Sequence, residues 1–262
     1  TSGTTGKPKG IMIPENNLGK FIKATVNKLT EFNSPQNTVL GSTMSFDAHV
    51  LELYLCLYSG GELTLIDNIF EKLPTNITFL WCIPSILPFL VLPVSIEFLL
   101  IGGEEIKSNI AKIPLKIYNV YGPTECTVAV CINLLDRNNT RNAGKVWDHI
   151  QYRIVDHELW IGGKEVYGKY TNKPEFDTWY QTGDRVEEDS QGNLIILGRI
   201  TKDSQYKIGG LRIDLRQIED IAAKNGNQVI ASILDDTIYL FHNGDETIIR
   251  DLAQTYLPEY MR

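Results

Sequence analysis

The first ten residues, Thr1-Ser2-Gly3-Thr4-Thr5-Gly6-Lys7-Pro8-Lys9-Gly10, gather the groups that can surround an oxyanion. Glycine lets the backbone turn sharply and come close to a ligand. Hydroxyls and main-chain N–H groups can then line the anion, with Lys7 and Lys9 adding charge. By composition the stretch is a phosphate cradle. It differs from GxxxxGK[ST], because Gly3 and Gly6 are only three apart and Pro8 follows Lys7. The plainer alternative is a flexible Gly/Thr linker.

Three more stretches carry chemistry. Phe46-Asp47-Ala48 opens an almost wholly apolar segment, where an unpaired carboxylate is costly. Asp47 is therefore either the N-cap of the helix that follows or a buried anion awaiting a substrate cation. His49 next to it reads as a locally satisfied histidine. In Tyr118-Asn119-Val120-Tyr121-Gly122-Pro123-Thr124-Glu125, Gly-Pro imposes a turn after a buried strand. Tyr121 and Thr124 then sit at the strand's carboxyl end, where ligands collect in open parallel sheets. Tyr180-Gln181-Thr182-Gly183-Asp184 ends in a carboxylate able to accept from two hydroxyls, although Thr-Gly-Asp is also an ordinary turn. Arg199, at a strand end after Gly198, offers a planar fork suited to phosphate.

The elements that must position these groups follow from periodicity. Asn16 or Asn17 can cap a helix bearing Leu18, Phe21, Ile22, Val26, Leu29 and Phe32. Strands over 38–43, 62–66, 77–82, 96–101 and 115–119 alternate with helices over 48–58, 84–92 and 105–112. That rhythm predicts a mainly parallel, helix-covered sheet. From Val128 the pattern changes to short strands over 128–133, 151–155, 158–161 and 193–197, as in a small antiparallel, barrel-like sheet. A third texture begins near Lys202: a hairpin across Gly209-Gly210, a helix over 216–224, strands over 229–234 and 237–241, and a helix over 247–256.

The chain of 262 residues is 43% hydrophobic and 22% charged, ordinary for a globular protein able to bury a large core. Its net charge of −7 disfavours nucleic acid or anionic membrane as the main partner. The longest apolar stretch, Ile83 to Leu92, holds Pro84 and Pro88 and is too short to span a bilayer. Cys56, Cys82, Cys126 and Cys131 form no C-x-x-C pair, which fits a reducing, cytoplasmic setting.

Taken in order, these motifs resemble those of the adenylate-forming enzymes, and most closely the amino-acid adenylation domains of nonribosomal peptide synthetases. The octet ending in Glu125 matches that family's Asn-x-Tyr-Gly-Pro-Thr-Glu, and Glu158-Leu159-Trp160-Ile161-Gly162-Gly163 matches another of its motifs. The resemblance implies an α/β adenylate-forming fold with a partial core domain over 1–201 and a partial C-terminal lid subdomain over 202–262. It implies ATP held by Thr1, Ser2, Gly3, Thr4, Thr5, Gly6 and Lys7, with Asn119 at the adenine edge, Tyr121 packed on adenine and Asp184 on the ribose. Thr124 would meet the α-phosphate, Arg199 would lie near ribose and phosphates, and Glu125 would coordinate Mg²⁺, a hard cation that prefers oxygen. Asp47 would hold a substrate α-ammonium, which acyl-CoA synthetases have no need to bind. Asp203 is the candidate hinge residue, although the segment 200–204 is longer than the family pattern and Gly209 stands where Arg is common.

Carried over by motif, the side-chain pocket is Asp47, Ala48, Leu51, Trp81, Leu100, Gly102, Val120, Val128 and Ala129. Apart from the aspartate it holds no charge, with depth at Gly102 and Ala129. It suits a small branched aliphatic side chain, valine first. The implied activity is formation of aminoacyl-AMP and pyrophosphate, followed by transfer to the phosphopantetheine thiol of a carrier protein. Rival readings are an acyl- or aryl-CoA ligase of the same fold and a catalytically inactive nucleotide-binding relative. The chain starts inside the phosphate loop and stops at Leu257-Pro258-Glu259-Tyr260-Met261-Arg262, short of the family's catalytic lysine, so it reads as an internal segment.

Overall fold

A computed structural model describes residues 10–107, 109–163, 169–170, 179–200, 205–208, 211–234 and 237–256. The phosphate-cradle residues Thr1, Ser2, Gly3, Thr4, Thr5, Gly6 and Lys7 lie outside them. So do Asp203, the Gly209-Gly210 turn and residues 257–262.

After the short strand β1 (Ile11–Met12), helix α1 (Glu15–Lys28) takes Pro14 as its N-cap, not the expected Asn16 or Asn17. Pro is well placed there because the first N–H groups of a helix lack intrahelical partners. Asn17 is drawn into the first turn, its amide donating to the Pro14 carbonyl at 3.0 Å. A 3-10 turn over Thr30–Asn33 then carries Phe32 into the core, edge-on to Phe79 and Phe98.

Strands β2 (Thr38–Leu40) and β3 (Leu63–Leu65) pair in parallel across helix α2 (His49–Ser59). Gly60 closes that helix in the left-handed conformation, at φ 75°. Strands β4 (Phe79–Cys82), β5 (Phe98–Gly102) and β6 (Lys116–Tyr121) are parallel, and β7 (Cys131–Leu134) adds an antiparallel edge. Both faces of this sheet are buried. Phe79, Trp81, Phe98, Leu100, Tyr118 and Val120 point into one apolar cluster with α1 and α2, while Leu80, Cys82, Leu99, Ile101 and Ile117 point into another. Continuous apolar strands of this kind are what a parallel sheet covered on both sides requires.

Two expected helices shrink to single 3-10 turns, Leu87–Phe89 and Ile110–Lys112. Pro84, Pro88 and Pro93 remove donors and clash with preceding carbonyls over 84–92, and Pro114 disfavours helix at Ile113. Apolar spacing there serves buried turns: Leu87, Ile106 and Ile110 are all core residues.

The second half forms a five-stranded antiparallel sheet in the order β8-β13-β12-β10-β9, from β8 (Asn142–Gly144), β9 (Gln151–Val155), β10 (Glu158–Gly162), β12 (Trp179–Glu188) and β13 (Leu194–Arg199). Strand β11 (Lys169–Tyr170) pairs antiparallel with β1. Strand β12 takes in Thr182-Gly183-Asp184, so the alternative of an ordinary turn there does not hold. Gly183, at φ 69°, sits inside a ten-residue strand whose pairing with β10 shifts register. A bulge of this kind lets a turn-like sequence remain in a sheet.

The last module contains a hairpin of β14 (Gln205–Ile208) and β15 (Leu211–Asp214), helix α3 (Leu215–Lys224), a hairpin of β16 (Val229–Leu234) and β17 (Thr237–His242), and helix α4 (Glu246–Tyr256). Its apolar residues cluster among themselves, around Ile213, Leu215, Ile218 and Ala231 and around Ala222, Val229 and Ile249. Among the described residues no helix is long and apolar enough to cross a membrane.

Candidate functional site

The carboxyl end of β6 and the strand pair β12–β13 meet at Asp184. Antiparallel register sets Asp184 directly opposite Arg199. The Arg199 guanidinium donates to Asp184 Oδ1 at 2.9 Å and to the Thr182 carbonyl at 2.5 Å. On the other side, Tyr121 Oη donates to Asp184 Oδ2 at 2.6 Å. Asp184 is buried and Arg199 largely so. Such a pair stands in a medium where electrostatic attraction is stronger than in water. Burial pushes the Tyr121 phenol well above its usual pKa and the neighbouring Asp184 charge pushes the same way, so Tyr121 stays a donor.

Asp184 is held in turn by its own strand. Its amide donates to Thr182 Oγ1 at 3.0 Å, and that hydroxyl donates to the Leu159 carbonyl at 2.7 Å. Glu158 accepts from the Gly183 amide at 2.9 Å and, through its other oxygen, from Trp160 Nε1 at 3.0 Å. Trp160 and Trp179 sandwich the Arg153 guanidinium, 4.6 and 4.3 Å from the ring centroids. Neither the anchoring role of Glu158 nor that of Thr182 was foreseen, although both lie within recognised motifs.

Beyond Tyr121 the chain turns through Gly122-Pro123 into a 3-10 turn, Thr124–Cys126, which holds Glu125 at 1% exposure. Gly122 is required by close approach: a Cβ there would lie 2.4 Å from Ala129 Cα. Thr127 and Val128 follow at φ 64° and 69°, a left-handed conformation that β-branched residues rarely adopt. The strand expected to begin at Val128 therefore begins at Cys131. Consecutive strained residues of this type each cost about 1–3 kcal/mol and must be over-determined by their surroundings. Asn119 is buried and reaches the Asn142 carbonyl at 3.3 Å.

On the other side of β6, the carried-over pocket residues come together. Ala48, Leu51, Trp81, Leu100, Val120 and Ala129 belong to one buried cluster, with Phe46 and Val128 packed against it. Gly102 is required by close approach, since a Cβ there would meet the Val120 carbonyl oxygen at 2.1 Å, and the Trp81 ring lies 3.2 Å from the same point. Asp47 is half-buried, the N-cap position of α2 falls on Ala48, and the Asp47 carbonyl accepts from the Val50 amide in the first turn of that helix at 3.0 Å. His49 Nδ1 donates to the Phe46 carbonyl at 2.8 Å, a local partner as expected.

Fit to a nucleotide can be judged from these groups. Among the described residues each Asp184 oxygen takes one donor, and a carboxylate oxygen accepts two, which leaves acceptor capacity suited to a ribose hydroxyl. For a metal the fit is narrower. Among the described residues no group of three or more His, Cys, Asp or Glu side chains could cage an ion. Glu125 could serve Mg²⁺ in the manner usual for that ion, one carboxylate with phosphate oxygens and water completing the shell.

A helix-flanked parallel sheet, followed by an antiparallel sheet whose Asp–Arg pair faces a Tyr at the parallel sheet's edge, is the architecture of the adenylate-forming enzymes. The chain belongs to the AMP-binding enzyme family, whose profile matches residues 1–170. Solved structures agree on the fold. An adenylation domain of Vibrio cholerae in complex with glycyl-adenosine-5'-phosphate superposes with a TM-score of 0.83 at 22% identity, over 99% of this chain and 60% of that one. The o-succinylbenzoate CoA synthetase of Bacillus subtilis gives 0.84 at 19% identity, over 100% and 63%. Among curated relatives, the D-alanine–D-alanyl carrier protein ligase of Lactococcus lactis is 31% identical over 258 residues, 84% of this chain and 51% of that protein. A hybrid PKS-NRPS synthetase of an Acremonium species is 27% identical over 340 residues, 100% of this chain and 8% of the relative. The chain thus spans about half of the ligase and a small part of the synthetase.

Proposed function

We propose that the protein of which this chain forms part activates an amino acid with ATP, giving aminoacyl-AMP and pyrophosphate, and passes the aminoacyl group to the phosphopantetheine thiol of a carrier protein. The observation that carries this is Asp184, buried between Arg199 and the Tyr121 hydroxyl with acceptor capacity left on both oxygens. In the proposed complex those oxygens take the ribose hydroxyls, the Tyr121 ring lies against adenine, and Asn119 meets the adenine edge. Thr124 and Arg199 attend the phosphates while the substrate carboxylate attacks the α-phosphorus, and Thr1 to Lys7 cradle the departing pyrophosphate. Positioning and charge neutralisation dominate catalysis of this kind. Mg²⁺, held at Glu125, would neutralise phosphate charge. Asp203 is proposed as the pivot between a core over 1–201 and a lid over 202–262.

Asp47 supports the amino-acid branch, since a half-buried carboxylate beside an uncharged pocket matches an α-ammonium. Trp81 lying across Gly102 shortens that pocket and favours valine, with isoleucine and leucine behind it. The relatives' names point the same way: one is a ligase of D-alanine to a carrier protein. The test is pyrophosphate exchange by the full-length protein across the proteinogenic amino acids. Valine-led exchange supports the reading; preference for a des-amino acid moves the protein to the acyl-CoA ligases, and a charged winner refutes the pocket assignment.

A further inference from the structure

Helix α2 holds a carboxylate that the proposed chemistry does not use. Glu52 is 1% exposed, between the core residues Leu51 and Leu55. Its Oε2 accepts from the Ser42 amide at 3.1 Å and its Oε1 from the Ser42 hydroxyl at 3.0 Å. Burial, with smaller contributions from Glu104 and then Glu52, pushes up the thiol of Cys82 at the end of β4. Ser42 and Glu52 stand at equal distance in sequence on either side of Asp47, so their contact closes a loop with Asp47 at its middle. Within the loop the chain is already folded into short turns, with Phe46 N donating to Thr43 O at 2.9 Å and His49 N to Phe46 O at 3.2 Å. Backbone bonds tie the near end of this unit to the helix, His49 N to the Phe46 carbonyl and Val50 N to the Asp47 carbonyl at 3.0 Å, and Glu52 ties its far end at Ser42.

We propose that Glu52 is a positioning residue for the amino-acid site, fastening the segment that carries Asp47 to α2 through Ser42. The inference rests on the amino-acid reading of Asp47. Burying a carboxylate without an adjacent cation is expensive, and burial raises Glu52 to about 7. The arrangement tolerates either protonation state: a neutral carboxyl can accept from the Ser42 amide and donate to the Ser42 hydroxyl. Glutamine can reproduce both bonds with its carbonyl and amide, and alanine can make neither.

The experiment uses the full-length protein and two readouts, steady-state pyrophosphate exchange and amide hydrogen exchange of residues 42–48 without ligand. Glu52→Ala is expected to raise KM for the amino acid at least tenfold while KM for ATP stays within twofold, and to speed amide exchange in the loop. Glu52→Gln should keep both close to the parental values. Ser42→Ala, a milder change that keeps the backbone bond, should raise the amino-acid KM about threefold and serves if Glu52→Ala does not fold. Equal effects on both KM values, no effect of Glu52→Ala on loop exchange, or failure of Glu52→Gln to rescue would overturn the proposal. If the parent shows no amino-acid-dependent exchange at all, the functional reading fails, and loop exchange still decides whether Glu52 holds the segment.

Discussion

The two sides of the site are built on different principles. Around the side proposed for the nucleotide, charge is fixed by strand register: Asp184 faces Arg199 across β12–β13, Tyr121 and Thr182 bond to Asp184 itself, and Glu158 holds the amide of the preceding Gly183. The side proposed for the amino acid is an apolar cluster with one carboxylate, Asp47, on the loop beside it. Polar networks announce themselves in residue types, whereas apolar pockets differ little from ordinary core. One half is therefore rigid and readable, and the other is shaped by packing.

Separability is the sharpest consequence of that contrast, and it gives the largest expected effect. Asp47→Ala should reduce kcat/KM for the amino acid about a hundredfold, since breaking one partner of a desolvated charge pair costs roughly 3 kcal/mol at a half-buried position. ATP binding should be nearly unchanged. Asp184→Ala should do the reverse, raising KM for ATP and leaving amino-acid selectivity intact. Exchange kinetics with each substrate varied in turn would show it, and two variants that behave alike would erase the distinction between the halves.

A second effect is expected from pH. Glu52 is raised from 4.5 to about 7, so the folded protein holds a proton that the unfolded chain releases between those values. Stability from this group is then greatest below about 4.5, falls as pH rises through 7, and is lowest above it. The full shift corresponds to about 3 kcal/mol. Glu52→Gln should remove this slope, so its stability relative to the parent should rise between pH 5 and pH 8. Denaturant unfolding at both pH values measures it, and parallel profiles would mean that Glu52 is solvated.

Gly122→Ala probes the seam between the halves. Its Cβ would meet Ala129 backbone, which cannot swing aside as a side chain can. A loss of about 1–3 kcal/mol in unfolding free energy is expected. The smallest effect is expected from Tyr121→Phe, which removes one hydrogen bond to a charged group, worth about 1.5 kcal/mol. Arg199 still neutralises Asp184 in that variant, so KM for ATP should move less than threefold. A much larger change would mean that the hydroxyl, and not the ring, meets the nucleotide.

Much of this was legible in the sequence, and the exceptions have physical causes. The short runs of β9, β10 and β13 between polar turns and the apolar runs of β4 to β6 gave those strands directly. The four strands and both helices of the last module follow the expected pattern, with β14 and β15 paired as expected. Prolines suppressed two helices that apolar spacing alone suggested. Thr182-Gly183-Asp184 carries turn chemistry yet lies in a strand, because a bulge beside Glu158 absorbs it. Nothing in Thr127-Val128 signals a left-handed backbone, since intrinsic preference opposes it and only the Gly122–Ala129 contact and its neighbours can impose it. Glu52 did leave a signal, a lone carboxylate within an apolar helix, but the helix was read by its apolar majority.

The Trp160–Arg153–Trp179 stack has an optical consequence. One carboxylate, Glu158, joins the Trp160 indole N–H to the Gly183 amide, one residue from Asp184. Any adjustment of that strand as a ligand settles on Asp184 is felt at an indole whose emission depends on its hydrogen bond and on the cation stacked against it. Trp179 lies on the same strand, on the far side of the guanidinium. Two of the chain's four tryptophans thus adjoin the strand that carries Asp184, and under the proposed assignment of Asp184 to the ribose an unlabelled protein carries its own spectroscopic gauge of nucleotide loading.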